Sequence, residues 1–322
     1  MMAASFEDAN QLAPRGSPVS PFAVGLLCLF VSCMLWGAGH PVLRWLTQSL
    51  PFESLLFWRW MAAFLVALLF SWRHVLREAP VVLRHWRWFL YLGISGVALT
   101  SMLTFAAAAF TPVLNFSLLG STAPLWVLII GIATRAEAFR PMSAVGILLG
   151  LFGVILIVSH GSPQALLEIE FNIGDIMATI SAVTWAGYIL AMRRRPPGLH
   201  LLTVFTVTAA TGIASFLPFC LWRWIVDGQP LFMAPDASAS ASSVVLGLLF
   251  TGLGGSLLGL ILWNHGVSRT NASAASVFLY LIPMVSSGLA MIFLDEPLAL
   301  YHLVAIGFVL PGMYLATRAA SR

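Results

Sequence analysis

Three titratable side chains lie within long apolar runs of this 322-residue chain, where charged and proton-carrying groups are unusual. Arg59 sits about one turn inside its run, and its guanidinium could pair with a carboxylate. His40 and His265 lie late in two other runs, and an imidazole can carry a proton near neutral pH. An alternative without chemistry stays open, because an arginine or histidine near a helix end can extend to an interface.

Aromatic and amide side chains form a second group of candidates. Trp36 lies four residues before His40, so both share one helix face. Trp185 and Tyr188 occur at the corresponding place later in the chain, which favours a cavity lining for both pairs over interfacial anchoring. Amides in apolar helices can also join neighbouring helices by hydrogen bonds. The amides concerned are Asn115 and Asn264.

One pattern occurs twice, a proline inside an apolar run with a glutamate thirteen residues later. Pro124 precedes Glu137, and Pro283 precedes Glu296, 159 positions further on. This recurrence at about half the chain length indicates two related halves. A proline inside a helix removes a backbone hydrogen bond and predicts either a static kink or a hinge in a cavity wall. The glutamates follow their helices and are predicted to tether or gate a neighbouring helix end.

Composition indicates that this is a membrane protein. Apolar residues make up 60% of the chain and charged residues 9%, against about 25% charged in soluble domains. The three cysteines lie inside apolar runs and lack the spacing of a disulfide framework or a metal site, so we expect no metal and no cofactor.

Hydropathy predicts an all-α membrane protein with ten transmembrane helices, since a bilayer core of about 30 Å needs about twenty apolar residues per helix. Residues 1–20 and 318–322 are predicted to be polar cytosolic tails. An uncharged stretch too long for one helix is divided at Thr111-Pro112. The predicted spans are 21–40, 54–72, 88–110, 113–133, 141–159, 174–192, 202–225, 243–267, 272–294 and 299–317.

Arginines predict the orientation of these spans. With both termini inside, thirteen of the sixteen arginines fall on the cytosolic side, which satisfies the positive-inside rule. Five spans per half then make the halves, 21–159 and 174–317, inverted repeats. Transporters often use this plan, with the substrate near the midplane between the repeats.

These features resemble the drug/metabolite transporter superfamily and specifically its EamA family. Each half opens with a tryptophan among small residues, continues with the proline and glutamate, and ends in a glycine-bearing helix. Pro51 precedes Arg59, as is common in the second helix of that family, whereas span 202–225 has no matching arginine. The motifs are Leu35-Trp36-Gly37-Ala38, Thr184-Trp185-Ala186-Gly187-Tyr188, Gly146, Gly150, Gly153, Gly307 and Gly312.

The resemblance implies an inner-membrane transporter of small metabolites such as amino acids, with export favoured and import of a vitamin, sugar or nucleotide-type metabolite as the alternative. All twelve acidic residues lie in tails, loops or span edges, so the chain is expected to lack the buried carboxylate that a proton-driven carrier of lipophilic cations needs. From this lack we expect a neutral, zwitterionic or anionic cargo. If transport is coupled to protons, His40 or His265 is the expected proton carrier. The expected partners are that metabolite and the lipid bilayer, without nucleic acid, and both a monomer and a homodimer stay open.

Two other classes of function remain as alternatives. An intramembrane hydrolase could use Ser256 and His265, but nine helical residues separate them by about 13 Å along the axis and place them on opposite faces. A structural or sensory membrane protein would show no solute flux. We therefore expect a transporter and no enzyme.

Overall fold

The computed structural model describes residues 20–168, 170–233, 239–293 and 299–320. These residues are helical without any strand, and they contain ten helices long and apolar enough to cross a membrane, as predicted. In chain order, α1 to α10 are Pro21–Leu46, Phe52–Arg84, Trp86–Ala107, Asn115–Ala133, Pro141–Val158, Ile173–Arg193, Leu201–Ile225, Ala241–Arg269, Ala272–Leu289 and Leu300–Ala319.

The predicted and observed spans differ most in α2. Hydropathy ends this span near residue 72, whereas the helix continues to Arg84 and is 33 residues long. Charged residues lower hydropathy but are good helix formers, so a helix does not have to end where the membrane does. The predicted division at Thr111-Pro112 is confirmed, because Thr111 has extended backbone dihedral angles.

Two helices contain π-helical segments at matching places in the two halves. In α3 the segment is Gly93–Leu99, and in α8 it is Phe250–Gly259. Adding 159 to the first range gives 252–258, which lies inside the second range. A π-helical turn departs from the i to i−4 hydrogen-bond pattern and is frequent at functional sites. Nothing in the hydropathy of these runs marks it.

Pro124 stands near a helix start, which corrects the expectation of a proline inside a continuous helix, whereas Pro283 lies inside the continuous helix α9, as expected. The Leu119–Thr122 turn interrupts α4, and Pro124 is the second residue of the helix Ala123–Ala133 that follows. Pro283 is the third residue of the helix Leu281–Phe293, directly after the 3₁₀ segment Val277–Tyr280. Backbone N–H groups in the first turn have no partner within their helix, so a proline at position 124 loses little.

Contacts between helices follow the inverted repeat. Helix α1 packs against α8 and α9, and its counterpart α6 packs against α3 and α4. Two further pairs join counterparts directly, α2 with α7 and α5 with α10. Each half therefore completes its packing with helices of the other half, and the fold is two inverted five-helix repeats around a shared centre.

Glycines bring the backbones of α5 and α10 into contact. A Cβ atom on Gly146 would lie 2.4 Å from the Gly312 carbonyl oxygen, closer than carbon atoms approach oxygen in proteins. Such small-residue contacts drive helix association in lipid, where apolar side chains gain little from each other. Gly307, in the same α10 helix, has no atom within 4 Å of its Cβ position.

We predict that Gly146→Ala destabilises the protein by about 1–3 kcal/mol, because the added methyl group must push α5 and α10 apart. Gly307→Ala is the matched control and should be neutral or slightly stabilising, since alanine favours a helix. The thermal unfolding midpoint of the detergent-solubilised protein measures both variants. Equal midpoints for both would contradict the proposed backbone contact.

Candidate functional site

Three tryptophans from both halves meet in the interior of the bundle. The Trp36 ring of α1 lies edge-to-face with the Trp185 ring of α6, with centroids 5.6 Å apart. Trp263 of α8 completes the group, 5.1 Å from Trp36 and 6.0 Å from Trp185. Trp36 and Trp185 are the counterpart residues of the two repeats, so the pair predicted from recurrence is in direct contact.

The indole of Trp36 also binds the π-helical segment of α8. Its Nε1 donates a hydrogen bond to the Gly255 carbonyl oxygen at 2.9 Å. The indole can approach closely because Gly259 lacks a side chain, and a Cβ atom there would lie 2.7 Å from Nε1. Gly259, at the end of the glycine-rich run 252–259, therefore allows α8 to pack closely against the Trp36 ring.

Tyr188 closes the space between α3, α6 and α8. Its ring stacks on Trp185 with centroids 4.9 Å apart, and its hydroxyl donates to Asn264 Oδ1 at 2.8 Å. The ring also lies against Gly96 in the π-helical segment of α3, where a Cβ atom would lie 2.2 Å from the Tyr188 ring. The side chain is fully buried. We call Tyr188 and Asn264 the tyrosine latch.

The corresponding place in the first half holds no latch. The 149-residue offset between Trp36 and Trp185 makes Gly39 the counterpart of Tyr188, and the 159-residue offset makes Phe105 the counterpart of Asn264. A Cβ atom on Gly39 would meet nothing within 4 Å, and the neighbouring His40 is exposed. Glycine and phenylalanine side chains cannot form the hydrogen bond. One side of the bundle centre is therefore filled and latched, whereas the other is open.

The latch lies toward the end of the bundle that carries most of the arginines, which we call the arginine-rich side. Tyr188 is five residues from Arg193 at the end of α6, about 7.5 Å along the axis. Gly39 is in the opposite half of α1, nearer to Leu46 than to Pro21. The open space thus faces the arginine-poor side.

Arg59 lies near this open space without an acidic partner. Its Nη2 atom is 3.5 Å from Ser101 Oγ, and its guanidinium carbon is 5.6 Å from the ring centroids of Trp60 and Phe105. Its buried Nε has no hydrogen-bond partner in the part of the chain that the structure describes. The positive charge of the Arg59 guanidinium is within electrostatic range of His40. A partly buried guanidinium with a free N–H donor can bind a carboxylate.

The remaining predicted residues lie away from the tryptophans. Asn115 is buried at the arginine-poor end, where its Nδ2 donates to Asp175 Oδ2 at 3.3 Å. His265 is partly buried on the arginine-rich side, within electrostatic range of Arg195 and Arg269. Pro124 begins the second part of α4, and Pro283 lies inside α9, just after its 3₁₀ segment.

Glu137 joins the two halves on the arginine-rich side. Its carboxylate accepts hydrogen bonds from the Ala272 and Ser273 backbone N–H groups at 2.8 and 3.3 Å and from Ser273 Oγ at 3.0 Å. These are the first residues of α9, whose N-terminal N–H groups need acceptors. Glu296 lies outside the described residues.

Buried carboxylates are present, which corrects the expectation that the chain lacks them. Glu53 at the start of α2 is fully buried, 3.4 Å from Arg223 Nε, and Asp175 at the start of α6 is 3% exposed. Asp175 takes part in a capping box with Asn172 and accepts from Thr111 Oγ1 at 2.5 Å. The spacing Asn172-x-x-Asp175 could have indicated that box. Both acids lie at span ends, as expected of all acidic residues here.

Among the described residues, no group of three or more histidine, cysteine, aspartate or glutamate side chains could hold a metal ion. The side chains around the centre are aromatic rings, an amide, an imidazole and a guanidinium.

We predict that Tyr188→Phe destabilises the protein by about 1–3 kcal/mol, because Asn264 loses its partner while it stays buried. Tyr314→Phe is the matched control: Tyr314 is 58% exposed, and its hydroxyl should contribute little. Thermal unfolding in detergent compares them. A Tyr188→Phe midpoint as high as that of Tyr314→Phe would show that the latch contributes no stability.

Comparisons with known proteins agree with this architecture. The model of the EamA-like transporter family matches residues 23–159 and 172–318. An uncharacterized transporter of Archaeoglobus fulgidus is 24% identical over 293 residues, which cover 90% of this chain and 96% of that protein. Protein PecM of Dickeya dadantii is 26% identical over 288 residues, covering 89% and 90%.

Two further similarities are more distant. The aromatic amino acid exporter YddG of Salmonella typhimurium is 26% identical over 183 residues, which cover 54% of this chain and 57% of that protein. A crystal structure that is 20% identical in sequence superposes with a TM-score of 0.71, covering 92% of this chain and 98% of the other, and so shares the fold. Two copies of one family model account for most of the sequence, and the chain belongs to the EamA-like transporter family.

Proposed function

We propose that this transporter exports small neutral, zwitterionic or anionic metabolites, such as amino acids and compounds derived from them, by alternating access. The observation that carries the proposal is the unequal centre of the inverted repeat. Open space beside Gly39 and His40 adjoins the guanidinium of Arg59, which has no acidic partner among the described residues, whereas the tyrosine latch fills the corresponding space on the other side. This is the arrangement of a carrier that is open to one side and closed to the other.

Arg59 is the proposed contact for a substrate carboxylate. It forms no ion pair within the described residues, and its Nε donor is free. The neighbouring rings of Trp60 and Phe105 exclude water from two sides and strengthen an electrostatic contact. Because no counterpart arginine exists in α7, one half alone would supply this contact.

Other predicted residues, and Trp263, which was not predicted from the sequence, take supporting roles in the proposal. Trp36, Trp185 and Trp263 form an aromatic floor under the open space, and Asn264 and Tyr188 close the route beyond it. Glu137 holds the start of α9 and would release it when the arginine-rich side opens. The exporter YddG supports an amino acid as cargo, though at 26% identity over about half of this chain.

Loop charges support the proposed orientation in a bacterial inner membrane with both termini in the cytosol. Thirteen of sixteen arginines then lie on the cytosolic side. The arginine-poor, open side faces outward, and the latched side faces the cytosol. Export requires the latch to open so that cargo can enter from the cytosol, with His40 or His265 available to carry a proton.

We predict that Arg59→Leu lowers transport of carboxylate-bearing solutes about 10- to 100-fold, because a charge-assisted hydrogen bond contributes about 1.5–3 kcal/mol. Uptake into proteoliposomes is compared for a panel of amino acids and their carboxamides, which keep the shape and lose the charge. The variant should reduce the preference for the acid over the carboxamide.

Arg44→Leu is the matched control, since Arg44 is an exposed arginine at the same end of the bundle. It should leave both rates unchanged. If Arg59→Leu inserts normally and transports acids at the original rate, Arg59 serves only as an interfacial anchor. A preference for lipophilic cations in the same assay would refute the proposed substrate class.

A further inference from the structure

The part of α2 nearest the arginine-rich side carries a repeated dipeptide that the transport site does not use. Four times between residues 72 and 87, an exposed tryptophan or leucine is followed directly by an exposed arginine. The first three copies lie in α2, and the fourth opens α3 after a one-residue turn. The pairs are Trp72-Arg73, Leu76-Arg77, Leu83-Arg84 and Trp86-Arg87.

Helical spacing turns the three pairs of α2 into two parallel stripes. Positions 72, 76 and 83 differ by four and seven residues, so their side chains lie on one face, and the three arginines form the adjoining face. The apolar stripe is open, with Trp72 47%, Leu76 67% and Leu83 71% exposed. We call the eight residues of the four pairs the Arg–Trp surface.

The length of α2 places this surface at the level of lipid headgroups. A helix of 33 residues is about 50 Å long, whereas the hydrocarbon core is about 30 Å thick. Trp72 lies twenty residues from the start of α2, about 30 Å along the axis. The stripes therefore begin where the helix leaves the hydrocarbon.

The positive charges of this surface have no acidic partner within the described residues. Glu78, which is the sole acidic residue between Glu53 and Glu137, is buried on another face, and its Oε2 accepts the His200 backbone N–H at 3.0 Å. Arg73 and Arg87 instead lie 5.1 and 5.4 Å from the centroids of the neighbouring indole rings.

The counterpart segment in the second half does not carry a row of unpaired arginines. It holds a single arginine, Arg223, which is 3.4 Å from Glu53 and 2.6 Å from Asp227. Because two carboxylates neutralise Arg223, its positive charge is not available to bind an anion. The free positive surface thus belongs to the arginine-rich side alone.

We propose that the Arg–Trp surface is a binding site for an anionic phospholipid of the adjoining leaflet. Guanidinium groups bind phosphate with two parallel hydrogen bonds, and the indole rings hold two of them in place. The open apolar stripe covers the glycerol and the first methylene groups of the acyl chains. Charge and apolar contact together select an anionic lipid over a zwitterionic one.

The test uses the full chain in nanodiscs made of equal parts phosphatidylglycerol and phosphatidylcholine, with native mass spectrometry of the lipids retained after extraction. The wild type should retain phosphatidylglycerol preferentially. Arg73→Gln with Arg87→Gln should lower the ratio of the two lipids about fivefold per arginine, as expected for a basic residue near an anionic surface. Arg44→Gln with Arg135→Gln removes two other exposed arginines and should change the ratio less than twofold.

Equal retention of the two lipids by the wild type would overturn the proposal, as would an equal loss in the control pair. Displacement of the lipid by millimolar glycerol phosphate would also overturn it, because the site would then recognise a soluble phosphate ester. Arg73→Lys with Arg87→Lys keeps the charges that set the topology. If the glutamine variant does not fold, this pair must still lower the ratio, since lysine lacks the bidentate geometry.

Discussion

The edge-to-face contact between Trp36 and Trp185 is the constraint on which the rest of this structure depends. Two inverted halves can share one centre only if their counterpart elements meet there, and these rings are the point of meeting. The contact joins α1 and α6 through their side chains. The packing of α1 against α8, the hydrogen bond to Gly255 and the contact with Trp263 hold Trp36 in position for it.

The two halves contribute matching residues to this contact, but they differ one helical turn away. Tyr188 and Asn264 form a buried hydrogen bond, whereas their counterparts Gly39 and Phe105 have no polar side-chain atom. An inverted repeat with identical halves would favour neither side of the membrane. In the proposed alternating-access cycle the tyrosine latch stabilises one of the two states, and a ligand shifts that balance only by the difference in its affinity for them. Arg59, near the open space, is the group through which an anionic ligand would act.

Much of the fold could be predicted from the sequence, because the bilayer imposes helix length and polarity on every span. Ten helices, the division at Thr111-Pro112 and the repeat with its tryptophans all follow from composition and spacing. Local backbone geometry does not, because neither hydropathy nor residue spacing marks the π-helical segments or the break before Pro124. Burial of Glu53 likewise depends on Arg223, 170 positions away, and a pattern along one chain segment cannot reveal such a partner.

The centre of the bundle is open beside α1 and closed beside α6. His40 and Ile189 each lie four residues after a counterpart tryptophan, yet His40 is exposed and Ile189 is fully buried. The direct measurement is labelling of His40→Cys and Ile189→Cys, each in a background without the three native cysteines, by a membrane-impermeant maleimide. The account predicts rapid labelling of His40→Cys from the arginine-poor side and slow labelling of Ile189→Cys from either side. Equal rates, or faster labelling of Ile189→Cys, would contradict it.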